Sequence, residues 1–311
     1  MSRKKFIESH GATCKNHQWK WSLINEDKKF NIFSAWDRDT EDDRAKIFSE
    51  EWMYNNKGPK NSGYDQSRGH IRLIEEEGYD LFTSPMVFSE TSVLREKFSK
   101  LNEKVIVIPN GLDPELWRLR KHRDHSQGEF ARKPGGPIRI GYIGTPSHQE
   151  DVCMVAGAMN EIKKKYGDKV EIEVIGAFQK HPVKFGNRVG LPKRNDYPSF
   201  VDWLFKRVHW DIGIIPLAND DFNRSKSNLK FLEYAALELA IVVSDHPVYA
   251  NKAQHHYNCL VAENNTKSWV ENISHLIESP QTREKLVPNA KKSIDEIGQI
   301  NLFDEVIEVC S

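Results

Sequence analysis

The sequence has little cysteine: four residues in 311, Cys14, Cys153, Cys259 and Cys310, with no CxxC pair and no histidine at ligand spacing. A disulfide framework and a zinc site are both argued against by that scatter, and a reducing cytoplasm fits it. No apolar run approaches the roughly 20 residues that span a bilayer, and the basic start MSRKKFIESHG leads into no apolar signal segment. Neither sign of charge is in excess, since 45 basic residues balance 45 acidic ones. A polyanion would therefore have to be met by a local cluster and not by a global field. The sequences GxSxG, HExxH and Walker A are absent, which removes three common catalytic frameworks. The adjacent pair Asp220 and Asp221 reads as two loop carboxylates facing water, so no metal is expected.

What is present falls into two halves. Residues 1–79 are rich in tryptophan and charge, with period-two stretches such as HQWKWSLIN that put Trp19, Trp21 and Leu23 on one strand face. They read as a small Trp-rich α+β segment. Residues 80–136 read as a crossover and linker, ending in the polar loop Lys121–Gly136. From 137 to 311 short apolar runs (IRIGYIG, EIEVIG, DIGIIPL, IVVSD) alternate with amphipathic segments. That order predicts βαβ units, an α/β fold and a doubly wound parallel sheet. Val152, Val155, Ala156, Met159 and Ile162 share one face of the first predicted helix.

Two stretches carry candidate chemistry. In DFNRSKSNLKFLEYAALELA, Arg224 and Lys226 crowd the start of an apolar helix, where free N–H groups and the dipole favour an anion, as in a diphosphate clamp. If the helix already runs through Lys226, then Lys226, Lys230 and Glu233 share one face and Leu229, Leu232, Ala236 and Leu239 or Ala240 face the sheet. Glu233 can then accept hydrogen bonds from ribose hydroxyls. An ordinary surface pair between Lys230 and Glu233 is the alternative. In GYIGTPSHQED, Gly141, Gly144 and Thr145 let a ligand approach the backbone and His148 reaches a phosphate or sugar. Glycines chosen only for the turn, and a solvated histidine, are the plain alternatives.

The segments VIPNGLDPELW, IRIGYIGTPSHQEDV and WDIGIIPLANDDFNRSKSNLKFLEYAALELAIVVSD resemble the group 1 (family 4-like) glycosyltransferases of GT-B fold. The resemblance runs from about residue 80 to the end and covers the donor-binding, Rossmann-like half. It implies metal-independent transfer of a sugar from a nucleotide-diphosphate donor to a glycan or lipid-linked acceptor, with retention and without a cofactor. Arg224 and Lys226 would offset the leaving diphosphate, and Gly144, Thr145, His148, Asn223, Lys230 and Glu233 would hold the donor, with base and sugar selectivity near residues 177–180.

The sequence departs from that family in three places. Ser225 stands where the first Glu of the family's E-x7-E element belongs. Glu238 occupies a turn usually made by glycine, which would shift the end of the helix. A full acceptor domain is missing, which suggests a homo-oligomer or a partner that supplies one, at a cytoplasmic site or the inner membrane face. Residues 1–79 instead resemble the N-terminal domain of some HNH-type restriction endonucleases. In that alternative Trp19, Trp21 and Trp36 stack on a base, Arg3, Lys4, Lys5, Arg68 and Arg72 touch phosphate, and the module is fused to a catalytically incomplete nucleotide-sugar-binding domain. Tryptophans packed in a core, and the acidic runs 41–43 and 75–77, weigh against it.

Overall fold

The computed structural model describes the strand backbone within 13–32 and at 87–89, then residues 91–99 and 105–107 and, with short gaps, 110–295. By contacts the chain divides into two compact units, Met1–Asn110 with Asp220–Ser227, and Gly111–Asn219 with Asn228–Ser311.

The first unit holds a sheet of five strands in chain order: β1 (Thr13–Lys15), β2 (Gln18–Asn25), β3 (Lys28–Ile32), β4 (Val87–Ser89) and β5 (Val105–Val107). The first two pairings are antiparallel and the last two parallel. Trp19, Trp21 and Leu23 take alternate positions on β2. Residues on both sides of position 79 thus share one sheet. Trp36, Arg3, Lys4, Lys5, Arg68 and Arg72 lie outside the described residues. Helix α1 (Ser92–Phe98) is capped by Thr91, whose hydroxyl accepts from the Leu94 N–H. The Thr91 Oγ1 also donates to the Ser225 carbonyl, so the segment Asp220–Ser227 belongs to this unit.

The second unit is an open, wholly parallel sheet of six strands in the order β11-β10-β9-β6-β7-β8. The strands are β6 (Ile138–Gly144), β7 (Val170–Gly176), β8 (Asn187–Val189), β9 (Ile212–Ile215), β10 (Ala240–Ser244) and β11 (Leu260–Ala262). Period two sorts the side chains of this sheet to two cores. Ile140, Tyr142, Ile212, Ile214, Ala240 and Val242 point to one, with α2 (Gln149–Met154), α3 (Ala156–Tyr166) and α7 (Thr266–Glu278). Ile215, Ile241 and Val243 point to the other, with α4 (Tyr197–Arg207), α6 (Leu229–Ala236) and α8 (Pro280–Asp295). The α/β, doubly wound parallel sheet expected from the alternation of apolar runs is the architecture observed.

Local departures from the sequence reading have physical causes. The first predicted helix is two, α2 and α3, broken at Val155, and Ala158 is fully buried where Ala156 is only partly so. The condition that one helix run through Lys226 is not met. A single turn, α5 (Asp221–Arg224), is capped by the Asp220 carboxylate, and α6 begins afresh at Leu229. The Ser225 hydroxyl donates to the Asp221 carbonyl and accepts from Lys97, and Ser227 accepts from Asn110. These contacts hold the interruption open, so Lys226 is not on the helix that carries Lys230 and Glu233. At the far end α6 stops at Ala236, Leu239 lies past the helix, and Ala240 already opens β10.

Candidate functional site

In an open parallel sheet, ligands settle outside the carboxyl ends of the strands, at the point where the strand order reverses. Here β6 is followed outward by β7 and β8, after which the chain returns to place β9 on its other side. The reversal therefore lies between the ends of β6, at Gly144, and of β9, at Ile215. The turn after β6 and the loop after β9 are the two segments such a ligand meets.

A buried carboxylate ties these segments together. Asp151, 2 % exposed, accepts the Ala218 N–H at 2.8 Å on one oxygen and bonds the Nδ1 of His148 at 2.8 Å on the other. His148 is thereby oriented, with an N–H at Nδ1 facing the acid and its side chain 12 % exposed. The loop after β9 is held further by Asn264, which donates to the Leu217 carbonyl, and by Ser244, which accepts the Leu217 N–H and donates to Asn264. Thr145 is partly buried in the turn, its carbonyl accepting the His148 N–H.

The glycines of β6 make room for aromatic rings. A methyl group at Gly141 would fall 1.9 Å from the Trp210 ring, and one at Gly144 would fall 2.3 Å from the Tyr142 hydroxyl. Gly141 is thus covered by protein and does not offer its backbone to a ligand, contrary to the sequence reading. Gly144 accepts the Ala177 N–H at 2.7 Å, and Ala177 sits at φ 61° beside Gly176 at φ 69°. The tight crossing of the two strand ends explains that backbone. Of the selectivity segment 177–180, only Ala177 is within the described residues.

Lys230 and Glu233 lie in the first two turns of α6. Lys230, 9 % exposed, extends to Tyr142 from the helix on the opposite face of the sheet: its Nζ donates to the phenol at 3.0 Å and stands 4.6 Å from the ring centroid. Glu233 is partly exposed but deep among protein atoms, and this burial pushes its carboxyl up to about 7 against the opposing pull of Lys230. Among the described residues the Glu233 carboxylate makes no hydrogen bond. Tyr234, the next residue, accepts the Ile143 N–H at 2.7 Å and closes the last turn of β6 against the helix.

The remaining predicted residues belong to the other unit. Arg224 is exposed and pairs with Asp221 at 3.5 Å, and Lys226 is partly buried with its ammonium 4.5 Å from the Phe222 ring. Asn223 is buried, its backbone N–H and side chain both donating to the Asp220 carboxylate. Asp220 and Asp221 thus serve a cap and an ion pair, and no cluster of ligating residues suited to a metal occurs among the described residues. Sequence reasoning assigned no role to Asp151 or Tyr142. Asp151 stood at the end of a quoted motif with nothing to reveal its burial, and Tyr142 read as one more apolar strand residue.

Residues 137–279 match the family model described as Glycosyl transferases group 1. No curated protein matches the sequence. Among solved structures the chain is similar to HepE of Anabaena in complex with UDP and glucose (14 % identity, TM-score 0.53, 78 % of this chain and 66 % of that one). It is also similar to sucrose-phosphate synthase of Thermosynechococcus elongatus (11 %, 0.53, 83 % and 64 %) and to a glycosyltransferase of Rickettsia africae (13 %, 0.52, 88 % and 74 %). The chain spans just under two thirds of the length of the first two. At these identities the likeness is one of fold, and it agrees with the family match over residues 137–279: the sheet there is an open, parallel, Rossmann-like one, as in the similar structures.

Proposed function

We propose that this protein transfers a sugar from a nucleotide-diphosphate donor to a glycan or lipid-linked acceptor, with retention at the anomeric carbon and without metal or cofactor. The observation that supports it best is the buried Lys230 ammonium in a group 1 domain, where the parallel sheet offers its ligand-binding end. Gly144, Thr145, His148, Lys230 and Glu233 hold the donor, with Glu233 accepting from ribose hydroxyls. In the transfer the bond from the anomeric carbon to the diphosphate oxygen breaks, its electron pair leaving with the diphosphate. The acceptor oxygen bonds to that carbon, and the acceptor proton passes to the departing diphosphate. Charge that grows on the leaving group calls for fixed cations. Arg224 and Lys226 take that role on the strength of the sequence motif, and Asn223 belongs with the donor-binding residues on the same ground.

The test is a thermal-shift titration of the full chain with UDP, GDP, TDP and their sugars, since a ligand bound to the folded state raises the melting midpoint. One nucleotide family should shift the wild type, and the Arg224→Ala, Lys226→Ala double variant should respond roughly tenfold more weakly. A cooperatively melting wild type that responds to none of them would overturn the proposal.

A further inference from the structure

We propose that Tyr142 is a positioning residue for Lys230, fixing its ammonium at the end of β6 where the donor's diphosphate is neutralised; this rests on the nucleotide-sugar reading above.

Three observations converge on it. Tyr142 is fully buried in the core formed with α2 and α3, while Lys230 comes from α6, whose residues fill the core on the other face. Their bond of 3.0 Å therefore joins the two faces around the end of the sheet. The Lys230 Nζ also lies 4.6 Å from the centroid of the same ring, so direction and distance are both constrained. Gly144, the last residue of β6, leaves the space the phenol needs: a side chain there would meet the hydroxyl at 2.3 Å and the ring edge at 2.6 Å. The glycine, the tyrosine and the lysine form one fitted unit.

The chemistry explains why a phenol serves. Burial holds Tyr142 far above the usual phenol range, with the nearby Asp151 charge acting in the same direction. It therefore stays neutral and accepts one N–H from the ammonium. A carboxylate in its place would cancel the charge that an anion must meet. A phenylalanine would keep the packing and the ring face but release the ammonium to other rotamers.

Tyr142→Phe separates positioning from packing. The affinities of UDP, GDP and TDP, each beside its own nucleoside, should be measured by calorimetry on the wild type, Tyr142→Phe, Lys230→Met and the double variant. The diphosphate that binds the wild type should bind Tyr142→Phe roughly tenfold more weakly while its nucleoside is unaffected. Tyr142→Phe should add nothing to the loss caused by Lys230→Met. A second measurement needs no nucleotide: acylation of Lys230 by an amine-reactive acetyl ester, followed by peptide-resolved mass spectrometry, should be several-fold faster in Tyr142→Phe. Equal diphosphate affinity in a wild type and variant that both bind, or an equal loss for nucleoside and diphosphate, would overturn the role of Tyr142 alone, as would an unchanged acylation rate. A wild type that binds no nucleotide would overturn the donor reading and the role together.

Discussion

Glu238 and Lys291 form an ion pair of 2.5 Å with both side chains largely buried, at 10 % and 14 % exposure. The pair anchors α8 at the turn that ends α6. Glu238 stands there at φ 57°, in the left-handed region that glycine normally fills. The Leu239 N–H returns to the Tyr234 carbonyl and the Glu238 N–H to Ala235, which is the bonding of a glycine-ended helix made with a glutamate. The helix end that the sequence reading expected to shift keeps its turn, and the ion pair offsets the backbone cost of about 1 kcal/mol.

Replacement of Glu238 should separate these two terms. Glu238→Ala keeps the strained backbone and leaves Lys291 without its carboxylate, for an expected loss of about 3 kcal/mol. Glu238→Gly loses the same pair but relieves the backbone, so it should be about 1 kcal/mol less damaging than Glu238→Ala. Urea unfolding of the two variants gives the comparison, and equal midpoints would show that the turn carries no strain.

Gly141→Ala should be severely destabilising, because its methyl would fall 1.9 Å from the Trp210 ring. The ring is held in place, since its Nε1 donates to Glu173 at 2.6 Å and Arg207 binds the same carboxylate. A loss of about 3 kcal/mol is expected from overpacking. Tryptophan fluorescence during denaturation reports it, and a variant as stable as the wild type would mean that Trp210 swings away without cost.

Glu233 makes stability depend on pH. Its folded-state carboxyl is raised to about 7 from an ordinary 4.5, so the native state holds a proton that the unfolded chain releases. Its contribution is complete below pH 4.5, falls as pH rises, and is lost above about 7. Glu233→Gln should remove that slope and raise stability at pH 8 by about 1 to 3 kcal/mol, the lower value reflecting its partial exposure. Melting midpoints of both proteins across this range check it, and parallel curves would argue against the raised carboxyl.

Two cysteines of the parallel-sheet unit should differ in reactivity. Burial pushes the Cys259 thiol up to about 12, whereas Cys153 is half-buried on α2. At pH 8 a maleimide should label Cys153 within minutes and reach Cys259 only when the unit unfolds, as read by peptide-resolved mass spectrometry. Equal labelling of the two in the native protein would contradict the packing around Cys259.

The short apolar runs of β6, β9 and β10 were legible because a strand covered on both faces must be apolar at nearly every position. Lys230 and Glu233 were legible as neighbours one turn apart because both fall within one short helix. The break before that helix was not. Ser225 is bonded by Thr91 and Lys97, 134 and 128 positions away in the chain, and nothing near Ser225 announces partners so distant.

By itself, then, the sequence determined the class of fold, the alternation of strands and helices in the parallel sheet, and the two strand-to-helix turns of the candidate site, since these follow from periodicity and local backbone preference. The tertiary structure decided which residues meet there. Tyr142 and Lys230 are 88 positions apart, and Asp151 lies 67 positions from the Ala218 N–H it accepts. Such pairs arise only when the sheet has folded, because burial creates the need for each partner and the packing of distant elements supplies it.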